Sequence, residues 1–154
     1  MDEPKWLSAR ELAAWENFLA VSAVLNRRVE QQLKEDAGLS HPQYEVLARL
    51  SVCPRGELRM TELAGAALTS KSGLTYQVTQ LEKAGLVTRR SSPDDDRGVV
   101  AALTEKGWEK LRATAPGHAA LVRALFVSGL SRRQFGGLAE GLTALNDFLR
   151  SESR

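Results

Sequence analysis

Residues 58–104 read LRMTELAGAALTSKSGLTYQVTQLEKAGLVTRRSSPDDDRGVVAALT, and the order of signals in this stretch decides the fold. Arg59 to Ala67 has the spacing of a short helix, with Leu63, Ala64 and Ala67 small or apolar. Leu68-Thr69-Ser70 breaks it, and Thr69 or Ser70 can cap a second helix running to about Lys83. In that helix Leu74, Val78 and Leu81 are separated by four and three residues, which puts them on one inward face. Ala84-Gly85 closes it, glycine being suited to the left-handed position after a helix. Two short helices joined by a tight turn, the second longer and polar on one side, are a helix-turn-helix layout. Leu86 to Arg90 and Val99 to Leu103 are extended runs on either side of Ser91 to Gly98, a loop holding Pro93, three aspartates and Arg97. They predict a β-hairpin with a charged tip directly behind the helix pair, which makes it a wing.

Outward from this stretch the chain reads as helix on both sides. Trp15, Phe18, Ser22, Leu25, Val29 and Leu33 recur at spacings of three and four, a stripe on one long helix from about Ser8 to Leu33. Such a stripe cannot be buried by its own helix and needs the rest of the chain or a second chain. Ser40 and Gln43 have capping-box spacing, with Pro42 in the first turn, and start a helix with Tyr44, Leu47, Ala48 and Leu50 inward. Thr104 caps a further helix carrying Trp108, Leu111 and Ala115, which Pro116-Gly117 should kink or interrupt. Ser131 and Gln134 repeat the capping-box spacing before a final stripe of Phe135, Leu138, Leu142, Leu145 and Leu149.

Composition sets the broad class. In 154 residues, 43% hydrophobic and 26% charged describe a soluble globular chain with one ordinary core. No run approaches the roughly 18 apolar residues of a membrane span, and Met1 to Lys5 lacks the basic and apolar regions of a secretory signal. The expected compartment is therefore the cytoplasm. A single cysteine, Cys53, allows neither an intrachain disulfide nor a cysteine-rich zinc site, and reads as a small side chain at a helix end. His41 and His118 are 77 positions apart with no companion ligands in sequence, so no metal or cofactor is expected. Net charge is +2, and it divides as −2 over residues 1–54, +1 over 55–104 and +3 over 105–154. Overall basicity is too slight to indicate nucleic-acid binding, so the argument rests on where individual charges stand.

The helix over Ser70–Lys83 turns Ser70, Lys71, Ser72, Thr75, Tyr76, Thr79 and Gln80 away from its apolar face, with no acid between Ser70 and Leu81. Ser70 and Ser72 lie at the positively polarised N-terminus, where hydroxyls and free N–H groups suit phosphate. Thr75, Tyr76 and Thr79 are spaced to reach base edges or thymine methyls in a major groove. Arg97 at the hairpin tip can enter a minor groove. Arg89 and Arg90 alternate across their strand, so one can reach phosphate while the other faces away. Asp94 and Asp96 read as a solvated acidic turn, since the segment lacks calcium-loop spacing.

Taken in order, Leu39-Ser40-His41-Pro42-Gln43-Tyr44-Glu45-Val46-Leu47, Met60-Thr61-Glu62-Leu63-Ala64, Leu81-Glu82-Lys83-Ala84-Gly85-Leu86-Val87, Asp95-Asp96-Arg97 and Leu103-Thr104-Glu105-Lys106-Gly107 resemble the MarR family of bacterial transcriptional regulators. The resemblance covers nearly the whole chain. It implies a mainly α fold with a small β-hairpin wing: a winged helix-turn-helix over 41–104, and N- and C-terminal dimerisation helices over 1–40 and 105–154. It further implies a cytoplasmic, nucleoid-associated homodimer on a pseudo-palindromic duplex DNA operator, acting as a repressor that a small-molecule effector releases. By the same resemblance Asp95 braces Arg97 and the wing turn, and Trp15, His41 and Tyr44 line an effector cleft. Tyr76 and Thr79 depart from the arginine and aspartate frequent in the family.

Two other classes compete. A winged-helix module can serve protein–protein contact without DNA, and would then show no salt-dependent DNA affinity. An enzyme would need a nucleophile elbow, P-loop, metal helix or dinucleotide fingerprint, and the sequence holds none.

Overall fold

The computed structural model describes residues 5–66 and 70–152, apart from the side chains of Ala66, Asp95 and Asp96. Its elements are α1 (Ala9–Ala37), α2 (His41–Ser51), β1 (Glu57–Arg59), α3 (Met60–Ala66), α4 (Lys71–Lys83), β2 (Val87–Ser92), β3 (Asp95–Leu103), α5 (Glu105–Val122) and α6 (Arg132–Glu152). They form two compact units, one within Met1–His118 and one within Ala119–Arg154.

In the first unit local chemistry sets the helix limits. Ser8 accepts the Glu11 N–H, and Glu11 accepts the Ser8 N–H at 2.7 Å, a reciprocal cap on α1. α1 runs to Ala37 and is closed by Gly38 in the left-handed region at φ +66°, whose N–H reaches the Leu33 and Lys34 carbonyls. Ser40 and Gln43 cap α2 in the same reciprocal way. Ser70 caps α4, accepting the Gly73 N–H at 3.1 Å. The break expected at Leu68-Thr69, and Thr69 as the alternative cap, lie outside the described residues.

Three expectations need correction. Arg59 does not begin a helix: with Glu57 and Leu58 it forms β1, which pairs antiparallel to β3 and makes the sheet three-stranded in the order β1-β3-β2. Three residues are too few to show an alternating pattern. The hairpin loop is not Ser91 to Gly98. Ser92 pairs with Asp95 across a Pro93-Asp94 turn, Ser91 pairs with Val99, and residues 96–98 bulge from β3 between them. Pro116 does not interrupt its helix, since α5 is continuous to Val122. Arg112 is exposed, so water can satisfy the carbonyl that the missing proline N–H leaves open.

The core of this unit joins Leu33 of α1, Leu47 and Leu50 of α2, Leu63 of α3, Leu74, Val78 and Leu81 of α4, and Val87 of β2. All are essentially closed to solvent, each leucine contributing about 2 kcal/mol by transfer from water. Thr104 fastens the start of α5 to the end of α4. Its hydroxyl donates to the Gly85 carbonyl at 2.7 Å and accepts the Gly107 N–H at 3.0 Å, while its own N–H reaches the Leu86 carbonyl at 3.1 Å. Gly107 is buried, and a Cβ there would collide with the Leu86 carbonyl, so only glycine lets α5 approach this closely.

In the second unit the chain passes through a π-helical turn, Arg123–Val127, closed by Ser128 N–H on the Arg123 carbonyl at 2.8 Å. Ser131 and Gln134 cap α6 reciprocally, and Phe126 meets Phe135 edge-on with ring centroids 6.1 Å apart. No described residue of α6 is buried. Among the described residues no helix is long and apolar enough to cross a membrane.

Candidate nucleic-acid interface

α4 is mounted by Leu74, Val78 and Leu81, which it sinks into the core beneath α2. That anchoring leaves Ser70, Lys71, Ser72, Thr75 and Tyr76 exposed, with Thr79 and Gln80 part-exposed at the rim. Tyr76 is the most prominent apolar group, 60% exposed. Several hydroxyls on this face are already engaged. Ser70 is spent on the cap and lies 3.3 Å from Ser72 Oγ. Thr75 Oγ1 donates to the Lys71 carbonyl at 3.0 Å, and Thr79 Oγ1 to the Thr75 carbonyl at 2.8 Å.

The wing arginines sit on opposite faces of the sheet, as strand alternation dictates. Arg89 turns toward α4, where Nη2 donates to Glu82 Oε1 at 3.0 Å and to Thr79 Oγ1 at 3.3 Å. Arg90 turns to the other face and bonds Glu57 of β1, which also accepts Arg55 at 3.1 Å. These bonds hold both carboxyls below the usual range, Glu82 through Arg89 and Glu57 chiefly through Arg90. Arg59 reaches Ser92 Oγ at 3.3 Å and ties β1 to the outer end of β2. Arg97 is exposed on the bulge of β3, just beyond the turn. Asp95 pairs with Ser92 through its backbone, and its side chain lies outside the described residues.

The remaining candidates divide. His41 and Tyr44, on the first turn of α2, meet His118 of α5, with ring centroids at 6.3 Å and 4.5 Å from it. The His41 N–H donates to Glu30 Oε2 at 2.8 Å, and His41 Nε2 lies 3.5 Å from Glu45 Oε1. That hydrogen bond holds Glu45 low, and burial with the nearby His41 charge lowers His118. Burial, with Glu45 nearby, raises the Tyr44 phenol. His118 Nδ1 is buried without a hydrogen-bond partner among the described residues. Trp15 does not join this cluster. It stands 15 residues before Glu30 on α1, roughly 22 Å along the axis, half exposed and stacked on Phe18. Among the described residues no group of three or more His, Cys, Asp or Glu could hold a metal ion.

Sequence reading missed Glu82, Glu57 and His118 as partners. Glu82 and Arg89 straddle Gly85, whose φ of +75° folds the strand back beside the helix, so a left-handed glycine between opposite charges was the available signal.

A sequence profile of the MarR family matches residues 39–99. The chain is 40% identical to Sco3205, a MarR family transcriptional regulator from Streptomyces coelicolor whose crystal structure is a complex with DNA. The match covers 97% of this chain and 93% of that one, with a TM-score of 0.91. This chain belongs to the MarR family. AbsC, a second MarR family regulator from Streptomyces coelicolor, is 37% identical over 96% of this chain and 99% of its own, with a TM-score of 0.90. YfiV, an HTH-type transcriptional regulator of Bacillus subtilis, is 34% identical over 96% of this chain and 90% of its own. As a MarR-family chain it is a transcriptional regulator, and the winged helix-turn-helix expected from residues 58–104 is its fold.

Proposed function

We propose that this regulator is a homodimeric repressor that binds a pseudo-palindromic duplex operator and acts by occupancy rather than catalysis. The observation that carries the reading is the outward face of α4: polar, free of acids from Ser70 to Leu81, and fixed by three buried side chains. Lys71 with the Ser70 and Ser72 hydroxyls serves phosphate. Thr75, Tyr76, Thr79 and Gln80 face the major groove, and Arg97 the minor groove beside the wing. Asp95 braces the wing turn. Arg89 lines the strand nearest α4 and approaches the backbone with whatever donors Glu82 and Thr79 leave. The DNA complex of Sco3205 supports this assignment by similarity.

Residues 41–104 then form the DNA-binding part, and residues 1–40 with 105–154 the pairing part. Exposed apolar side chains support pairing: Leu12, Trp15, Phe18 and Leu19 on α1, and Leu142, Leu145, Phe148 and Leu149 on α6. A second copy of the chain offers the same surfaces in return. His41 and Tyr44, now with His118, are the effector contacts, and their aromatic rings suit a small phenolic molecule. Trp15 contributes to such a cleft only if the partner copy brings it there. The site of action is the chromosome, in the cytoplasm.

The test is affinity of the full-length protein for its own upstream intergenic DNA over a salt series. A specific site is expected, with log affinity falling linearly in log salt. A footprint should show two half-sites about 10 bp apart, one helical turn. No affinity at low salt would leave the winged helix as a protein-contact module.

A further inference from the structure

Thr75 and Thr79 stand one turn apart on the outer side of α4, and neither hydroxyl has its proton free. Thr75 Oγ1 donates to the Lys71 carbonyl at 3.0 Å and Thr79 Oγ1 to the Thr75 carbonyl at 2.8 Å. A hydroxyl has one proton, so while these bonds hold neither side chain donates to an acceptor on a base edge. Thr79 is further committed, because its oxygen accepts Arg89 Nη2 at 3.3 Å. Arg89 is itself gripped by Glu82, through Nη2 at 3.0 Å and Nε at 3.5 Å. With each hydroxyl folded back along the helix, the branch left for an approaching surface is the γ-methyl. Each hydroxyl's bond to its own helix favours this χ1, so the presentation is set before any ligand arrives.

The major-groove code gives that geometry a meaning. Guanine presents two acceptors, which a hydroxyl without a free proton cannot satisfy. Thymine alone adds a C5-methyl, which an apolar group can contact. We propose that Thr75 and Thr79 are specificity-determining residues that select thymine by γ-methyl to C5-methyl contact, with Arg89 and Glu82 positioning Thr79. This rests on α4 being the major-groove element, and it reads the face as apolar at two points where its composition suggests hydrogen bonding.

The test uses the full-length protein and duplexes it selects from a randomised DNA pool. Each thymine of the selected sequence is replaced in turn by deoxyuridine, which removes only the C5-methyl. At one or two positions affinity should fall about fourfold, the size of one buried methyl contact. Thr75→Val keeps the methyl and should keep this preference for thymine over deoxyuridine. Thr75→Ser and Thr79→Ser keep the hydroxyl and should each abolish it at one position. Glu82→Gln should weaken the preference that depends on Thr79 and spare the one that depends on Thr75. Loss of the preference in Thr75→Val, its survival in the serine variants, or tolerance of deoxyuridine everywhere overturns the inference while DNA binding by α4 stands. Failure to select any sequence overturns the DNA-binding reading, and the inference with it. Thermal unfolding of each variant checks that the fold is kept.

Discussion

The winged-helix core and the outer helices use the same side chains in opposite ways. Leu47, Leu50, Leu63 and Leu74 are sealed within the chain, whereas Leu145, Phe148 and Leu149 of α6 are about half exposed. α1 contains both conditions in one helix: Val29 and Leu33 are buried, while Trp15 and Phe18 are not. An amphipathic stripe therefore fixes which face of a helix is apolar, and says nothing about which chain covers it. Where the stripe meets α2 it belongs to the monomer's stability, and where it does not, it stays at the surface.

That contrast breaks most readily in the core. Leu50→Ala should cost about 2–5 kcal/mol, read as a lower urea midpoint, while Leu145→Ala in dilute solution should cost under about 1 kcal/mol. Equal losses at the two positions would erase the distinction. Next, Leu145→Asp combined with Phe148→Asp should weaken self-association at least about 100-fold, roughly 2.7 kcal/mol. Sedimentation would read this directly, and the unfolding temperature would lose its dependence on protein concentration. A double variant that still sediments as a dimer would move the pairing surface off α6.

These contrasts also explain what the sequence could carry. The helix-turn-helix was legible because Leu74, Val78 and Leu81 keep helical spacing up to a terminating Gly85, all within one short segment. β1 was not, because its three residues become a strand only by pairing with Ala102, Ala101 and Val100, over forty positions away. The His41–Tyr44–His118 cluster was hidden for the same reason, since no local pattern links the start of α2 to α5. For the interface, residue types on α4 were readable, but not that Thr75 and Thr79 bond their own helix. Nor did alternation alone say which of Arg89 and Arg90 faces α4: the register of β2 against β3 decides it.

Smaller effects should sharpen the comparison at the DNA face. Arg97→Ala should weaken binding and flatten the salt slope by about one unit, with unfolding unchanged. An unaltered slope would remove Arg97 from the contacts. The smallest effect concerns pH. His118 is held below its usual value by burial and the nearby His41 charge, and Glu45 below the usual carboxylate range by its bond to His41. Both groups bind more protons unfolded than folded, so each contributes stability that acid removes. The loss for His118 begins as pH falls below about 6.5, and that for Glu45 below about 4.3. The unfolding temperature should decline in two stages, and His118→Gln should remove the first. A wild-type midpoint flat from pH 7 to 5 would contradict this.

The joint at Thr104 bears on how this scaffold could be retargeted. Thr104 binds Gly85, Gly107 admits the Leu86 carbonyl, and Arg89 clasps both Glu82 and Thr79. A specificity graft that exchanged α4 alone would part Arg89 from Glu82 and Thr79 and deliver a helix with unsupported side chains. The transplantable cassette is the continuous run from Ser70 through Gly107, helix, wing and hinge pin together.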